Sequence, residues 1–147
     1  MSRSILLAAL LVAAVASGAQ AQSVFNVLTA HRLLGAWQTD CTRPPASDNP
    51  RLTLAAQPKG PGSMIWDEGP AGRTVSVIKA ARDLTADRFL LHRYQPDDNS
   101  LVDFIFGRTG GKLRLLDARE ADTDKFLVRD SVDLASGRPT ASLERCP

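Results

Sequence analysis

Short runs of β-forming residues, separated by turn residues, follow one another along most of the sequence and restrict the fold more than any other feature. Residues 74–79 (TVSVIK) alternate polar and β-branched side chains, a pattern typical of a half-buried strand. Turn residues interrupt the sequence about every eight to twelve residues, as at 58–62 and 68–72. The pattern predicts short strands at 36–41, 52–56, 63–67, 73–82, 88–95, 101–106, 112–119, 125–132 and 141–146.

The connections between these runs decide how the strands pair. After residue 50 none of them is long enough to hold a crossover helix, so neighbouring strands should pair antiparallel in an up-and-down meander. A sheet of that length curls, and closing it removes the exposed edge strands. We therefore expect an all-β fold, a single antiparallel barrel of about eight to nine strands, with a two-sheet sandwich as the alternative.

Two segments precede the first long meander. Residues 22–33 (QSVFNVLTAHRL) have apolar residues at helical spacing and Ser23 as a capping residue, so they predict a short N-terminal helix. His31, near its end, is expected at the surface or beside the helix dipole rather than in a catalytic role. Residues 42–50 (TRPPASDNP) contain three prolines and predict a long irregular loop.

The N-terminal segment has the pattern of a secretory signal. Arg3 precedes the apolar run 5–16, and Ala19-Gln20-Ala21 is an A-x-A cleavage site, so we expect residues 1–21 to be removed and residues 22–147 to form one domain. The apolar run is too short to span a bilayer, which takes about 20 residues. The protein is therefore expected in the periplasm or secreted, without a membrane span.

The two cysteines bear on closure of the fold. Cys41 ends the first predicted strand and Cys146 is the penultimate residue, and two cysteines in an exported protein are expected to pair. The spacing fits neither a zinc motif nor a C-x-x-C redox motif. A bond between them would join the first strand to the last, with a chain-entropy contribution of at most about 4–5 kcal/mol.

The sequence has no pattern that indicates an enzyme, a metal site, a cofactor or a nucleic-acid interface. The formal charge is +2, with acidic and basic residues interspersed, and the two histidines lie far apart. Residues 107–112 (GRTGGK) fall short of a phosphate loop and predict a hairpin, and the aspartates of 97–99 and 122–124 predict ordinary turns.

Polar residues inside apolar strands are the candidate ligand site. Alternation puts Arg93 on one face with Phe89 and Leu91, and Asp117 on one face with its neighbouring leucines. If Arg93, Asp103 and Asp117 all faced inward, they would form a buried charged cluster, which is costly unless it is paired or functional. Such a cluster would either fix the strand register or orient a ligand, and the alternative is that these residues face outward. The candidate ligand-binding residues are Trp66, Arg93, Tyr94, Asp103, Phe104 and Asp117.

Gly35 and Trp37, at the start of the first strand and after a short helix, form the G-x-W motif of lipocalin-like (calycin-type) barrels, which this chain resembles. It is also similar to small exported bacterial proteins that share G-x-W-x-x-x-C, a loop with Asn-Pro, and a terminal Cys. Those residues here are Gly35, Trp37, Cys41, Asn49, Pro50 and Cys146. The resemblance implies that Trp37 closes one barrel end beneath an arginine of a late strand, either Arg129 or Arg145.

The resemblance implies a non-enzymatic binding protein for a small apolar or amphipathic ligand held in the barrel. The alternative is a protein-interaction module of the cell envelope, such as an inhibitor of an exported protease or an accessory of an envelope complex. In that case the loop 42–50 would be the contact element, because prolines order a loop before it binds.

Overall fold

A closed sheet with one short α-helix at its end accounts for residues 22–147, the part of the chain that the computed structural model describes. The signal peptide expected at residues 1–21 lies outside this range. Helix α1 covers Val24–Ala30. The strands are β1 (Gly35–Gln38), β2 (Arg51–Ala56), β3 (Gly62–Asp67), β4 (Arg73–Thr85), β5 (Arg88–Gln95), β6 (Ser100–Thr109), β7 (Lys112–Glu120), β8 (Phe126–Arg129), β9 (Val132–Asp133) and β10 (Ser142–Arg145).

Strand pairing confirms the expected closed antiparallel barrel. Strands β1 to β7 pair with their sequence neighbours, and β10 lies between β7 and β1, so eight strands close the circle. Trp37 is opposite Arg145 across the β1–β10 pair, and Leu113 is opposite Leu143 across the β7–β10 pair. The first half of β7 therefore pairs with β10, while Ala118 and Arg119 near its end pair with β8.

Strands β8 and β9 branch from the barrel as a small hairpin. Residues 125–132 were expected to form one strand, and this prediction is wrong. Asp130 and Ser131 both have positive φ angles, 52° and 62°, and turn the chain between β8 and β9. Strand β1 likewise ends at Gln38 and does not reach Cys41.

The predicted N-terminal helix is confirmed and covers one end of the barrel. Ser23 Oγ accepts a hydrogen bond from the Asn26 amide at 3.1 Å, which satisfies a free N–H at the helix start. The helix buries three apolar residues against the barrel core, Val24, Val27 and Leu28. Its buried face and most inward residues of the strands form one apolar cluster, while Val102, Ala118 and Val128 form a second, smaller one.

His31 lies at this closed end, with a side chain only 11% exposed. Its Nε2 is 2.6 Å from Asp83 Oδ1, and its ring lies 5.2 Å from that of Phe89. The histidine therefore connects the helix end to strand β4 and to the core.

The disulfide between Cys41 and Cys146 is confirmed, with the two Cα atoms 5.5 Å apart. The backbone amide of Cys146 also donates to the carbonyl of Ala36 at 2.9 Å. The end of the chain is thus fixed to the first strand by both a covalent bond and a hydrogen bond. Within residues 22–147 no helix is both long enough and apolar enough to cross a membrane.

Candidate functional site

Arg93 projects into the barrel interior from strand β5. Phe89 and Leu91, four and two residues earlier, are fully buried, so the same face of the strand points inward. Its cross-strand partners Ile78 and Val102 are also buried. The predicted face of Arg93 is therefore observed, and it places a cation among apolar side chains.

The Arg93 guanidinium is only partly satisfied by its neighbours. Its Cζ lies 5.1 Å from the centre of the Phe104 ring. One terminal nitrogen donates long hydrogen bonds to Ser76 Oγ at 3.4 Å and Gln95 Oε1 at 3.5 Å. Its Nε is buried and has no hydrogen-bond partner. Burial lowers the pKa of Arg93, although the more distant carboxylate of Asp98 opposes this effect.

Two buried polar residues, Ser76 and Gln95, lie beside the Arg93 guanidinium. Ser76 Oγ donates to Gln95 Oε1 at 2.6 Å, and the two residues are 2% and 5% exposed. The Gln95 amide nitrogen in turn donates to Asp97 at 3.1 Å. Sequence reasoning missed Ser76 and Gln95. Gln95 lies two residues after Arg93 on the same strand face, and this alternation could have identified it. Its contact with Ser76 could not be predicted, because it depends on the β4–β5 register.

Trp66 and Phe104 provide apolar surface on the same inner face. Trp66 is opposite the buried Leu52 in the β2–β3 pair and packs against the core. Its indole N–H reaches Glu68 Oε1 at 3.4 Å. Phe104 contacts both the core and the Arg93 guanidinium. Three of the predicted ligand-binding residues, Trp66, Arg93 and Phe104, thus share the barrel interior.

The structure does not bring Asp103 into this group. Its neighbour Val102 is buried inside, and Asp103 lies on the outer face opposite His92. His92 Nδ1 is 2.6 Å from Asp103 Oδ1, and Arg119 approaches the other carboxylate oxygen at 3.9 Å. The inward charged cluster considered from the sequence is therefore not formed.

Asp117 also lies outside, because the strand alternation is interrupted. In the β6–β7 pair, Phe106 is opposite Leu115 and Ile105 is opposite Asp117, so β7 has one extra residue at a bulge between these two positions. The extra residue reverses the alternation, so Ala118 takes the buried position. Asp117 Oδ1 accepts a hydrogen bond from the amide of Asp130 at 3.0 Å, at the start of the β8–β9 turn.

Tyr94 lies on the outer face as well. Its hydroxyl donates to Asn99 Oδ1 at 2.9 Å, and Lys79 Nζ sits 4.3 Å from its ring centre. Three predicted site residues thus lie outside the barrel, and each is hydrogen-bonded to a neighbour there: Tyr94 to Asn99, Asp103 to His92 and Asp117 to Asp130.

Trp37 closes the end of the barrel interior that lies opposite the Arg93 end. This side chain is 1% exposed, and its indole N–H donates to the carbonyl of Leu33 at 2.8 Å. Arg145 is its cross-strand partner and donates to the carbonyl of Leu34 at 3.2 Å. Gly35 has φ of 115°, a backbone conformation that other residues rarely adopt. Of the two candidate arginines, Arg145 lies beside Trp37, while Arg129 lies over Phe126.

The proline-rich loop is ordered by one buried residue. Asn49 is fully buried, its Nδ2 donates to the carbonyls of Asp40 and Pro44, both at 3.1 Å, and its Oδ1 accepts from the Asp40 amide at 2.9 Å. Gln38, also fully buried, donates to the carbonyl of Asn49 at 3.1 Å. Among residues 22–147 the large exposed hydrophobic side chains are Val75, Leu84 and Leu134, none of them in this loop.

No group of three His, Cys, Asp or Glu side chains in the described part of the chain is placed to hold a metal ion. The fold and the site together define a closed eight-stranded antiparallel β-barrel with an incompletely paired arginine inside. Comparison with protein-family models, with curated proteins and with solved structures found no match to this chain.

Proposed function

We propose that the protein is an exported, lipocalin-like binding protein for a small amphipathic ligand, whose anionic head contacts Arg93. The closed barrel, the G-x-W residues at its helix-covered end and the disulfide support this proposal. The ligand would enter from the end of the barrel opposite helix α1, towards which Arg93 and Trp66 lie on their strands.

The observation that carries the proposal is the incomplete pairing of the Arg93 guanidinium. A buried cation is costly unless a counter-charge and hydrogen-bond acceptors compensate it. Arg93 makes no ion pair within residues 22–147, and its buried Nε has no acceptor. Asp98, the acid whose charge acts on Arg93, accepts a 2.9 Å hydrogen bond from the Ser100 amide instead. An incoming carboxylate would supply what these neighbours do not.

The surroundings of Arg93 favour a ligand that is apolar beyond its head. The planar guanidinium offers a fork of donors that matches a carboxylate. Phe104 lies directly against that guanidinium, and Trp66 lines the same face. A medium-chain carboxylic acid combines an anionic head with an apolar tail, so this chemical class fits both features.

A titration with dodecanoate tests the proposal through tryptophan fluorescence, because Trp66 is partly exposed on the inner face. We expect saturable binding that Arg93→Gln weakens about tenfold or more, since a charge-assisted hydrogen bond is lost. Arg129→Gln is the matched control, because Arg129 lies 5.0 Å from the Phe126 ring much as Arg93 lies near Phe104. Dodecanol should bind more weakly than dodecanoate.

Native mass spectrometry of the protein, purified from a periplasmic extract without denaturation, complements the titration. A co-purifying small molecule that is lost from Arg93→Gln and retained by Arg129→Gln would identify the natural ligand. The proposal is wrong if dodecanoate binds both variants equally and no molecule co-purifies.

The order of the proline loop favours one second candidate, the envelope interaction module. Asn49 holds residues 42–50 in place through three hydrogen bonds to Asp40 and Pro44, so the loop is ordered before any contact. A pull-down with the unchanged protein and with a variant in which Pro44 and Pro45 are replaced by serine separates this function from ligand binding.

A further inference from the structure

A row of residues on the outer surface of the barrel crosses four adjacent strands. Arg88 of β5 is opposite Gly107 of β6, Gly107 is opposite Arg114 of β7, and Arg114 is opposite Ser142 of β10. Cross-strand partners project from the same face of a sheet. The two arginines therefore flank a glycine on the outside of the barrel, two strand spacings, or roughly 10 Å, apart.

Gly107 lets the side chain of Leu116 lie directly against the backbone of β6 between the two arginines. A Cβ at this position would lie 2.8 Å from Cδ1 of Leu116, so the leucine fills the space above the glycine. A groove of about 600 Å³ lies beside these residues. Gly107 and Leu116 line it, and the remaining lining residues are polar or charged.

The charge of this groove is strongly one-sided. Four cations line it, Arg88, Arg108, Lys112 and Arg114, against a single carboxylate, Asp87. None of the four makes an ion pair with any residue in the range 22–147. The formal charge of the whole chain is only +2, so the concentration of positive charge is local.

Two of these cations are held in position by backbone groups. Arg108 donates from one terminal nitrogen to the carbonyl of His31 at 2.6 Å. Arg114 donates from Nε to the carbonyl of Thr140 at 3.2 Å and to its hydroxyl at 3.3 Å. Arg88 and Lys112 make no side-chain hydrogen bond within the described residues, so they can move towards a bound anion.

We infer that this groove binds a phosphate-bearing ligand carrying more than one negative charge. Guanidinium groups match phosphate oxygens with paired hydrogen bonds, and clustered cations without acidic partners favour a multiply charged anion. The groove lies outside the barrel and shares no residue with the Arg93 site. Its ligand could be a soluble phosphate ester or a lipid headgroup phosphate, which present the same chemistry.

The test is an NMR titration of the protein with inorganic pyrophosphate, followed at the backbone amides. We expect saturable shifts concentrated at Gly107, Arg108 and Arg114, and weaker binding at high ionic strength because salt screens exposed charges. The double variant Arg88→Gln/Lys112→Gln should weaken binding about tenfold. The matched control is Arg73→Gln/Lys125→Gln, which removes the same net charge from exposed positions elsewhere.

Flotation with phosphatidylglycerol vesicles, compared with phosphatidylcholine vesicles, identifies the source of the phosphate. The inference is supported if the unchanged protein binds either pyrophosphate or the anionic vesicles, and if the groove variant loses this binding while the control variant keeps it. Equal losses in both double variants, shifts spread over the whole surface, or binding of neither probe would overturn it.

Discussion

Arg93 is a residue at which stability and binding are expected to oppose each other. Its guanidinium is half-buried against Phe104, makes no ion pair within residues 22–147 and leaves Nε without an acceptor. Replacing unsatisfied buried charge with an apolar group of similar length is often neutral or stabilising. The same guanidinium would gain an acceptor if the proposed anionic ligand were bound.

Arg93→Met should therefore stabilise the free protein by about 1 kcal/mol. For a chain of this size that corresponds to a rise in melting temperature of about 2–5 °C. Dodecanoate binding should be lost in the same variant. Thermal unfolding of Arg93→Met, with Arg129→Met as control, measures the effect. A clear fall in the melting temperature of Arg93→Met alone would show that the guanidinium stabilises the fold instead.

Asn49 is the residue on which the order of the proline loop depends. Asn49→Ala should lower the free energy of unfolding by about 2–4 kcal/mol, because it leaves two backbone carbonyls and one amide without their partner. Urea unfolding measures the loss. Asn26→Ala, at an exposed position on helix α1, is the control and should change stability by less than about 0.5 kcal/mol. Similar losses in the two variants would contradict this role.

At the scale of elements, the β8–β9 hairpin differs from the strands of the closed barrel. Strand β8 has four residues and β9 has two, and they lie outside the circle of eight strands. Regions with few buried contacts open with lower free energy than the core.

Amides of β8 and β9 should exchange with solvent deuterium at least about tenfold faster than those of β5, which has a paired strand on each side. Hydrogen exchange followed by NMR resolves the two elements in one sample, so β5 serves as the internal reference. Equal protection in β8 and β5 would mean that the hairpin unfolds only with the whole barrel.

Most strands could be predicted because the two-residue alternation and the turn residues are local signals. Strand β5 was predicted with its observed bounds, and alternation correctly placed Arg93 on one face with Phe89 and Leu91. The bulge opposite Ile105 has no such signal, so the alternation through β7 predicted the wrong face for Asp117. The division of residues 125–132 into two strands also escaped prediction. Asp130 and Ser131 are common turn residues, but nothing nearby required positive φ angles.

The candidate site was predicted in part for the same reason. Strand alternation identifies the residues that share a face, but it does not say which face is inside. Alternation could assign Asp103 and Arg93 each to one face of its own strand. Only the β5–β6 register, which pairs Arg93 with Val102 and His92 with Asp103, shows that the two side chains lie on opposite faces of the sheet. The contact between Ser76 and Gln95 joins neighbouring strands and likewise depends on their register.

At the scale of the whole molecule, the disulfide joins residues 105 positions apart. Chain entropy gives a bond across such a loop at most about 4–5 kcal/mol. Adding reductant, or replacing both cysteines with serine, should lower the melting temperature by several degrees, as measured by circular dichroism. An unchanged melting temperature after complete reduction would show that backbone pairing of β1 with β10 is sufficient.

Stability should also fall in acid. Five carboxylates have lowered pKa values: Asp40, Asp48, Asp83, Asp98 and Asp133. Hydrogen bonds from the backbone and hydroxyl of Ser136 lower the pKa of Asp133. Burial acts to raise the pKa of Asp83, but its hydrogen bonds to Gln22 and His31 outweigh that effect.

A carboxylate with a lowered pKa in the folded state contributes its stability above its unfolded pKa, about 3.9 for Asp. That contribution is lost as pH falls through the folded pKa. Urea unfolding at a series of pH values should therefore show a declining midpoint below about pH 4. Asp133→Asn keeps an acceptor oxygen for Ser136 but cannot titrate, so its decline should be shallower. An identical acid decline in this variant would rule out a contribution from Asp133.

The link between the first and last strands also affects how the barrel forms. In a reduced chain, pairing Trp37 with Arg145 requires closing a loop of more than a hundred residues, and such non-local contacts slow folding. Once Cys41 and Cys146 are joined, the path between the same two residues runs through only five residue steps and the sulfur bridge. Oxidation before folding therefore converts the longest-range pairing of the barrel into a nearly local one, and the oxidised chain should refold faster than the reduced chain.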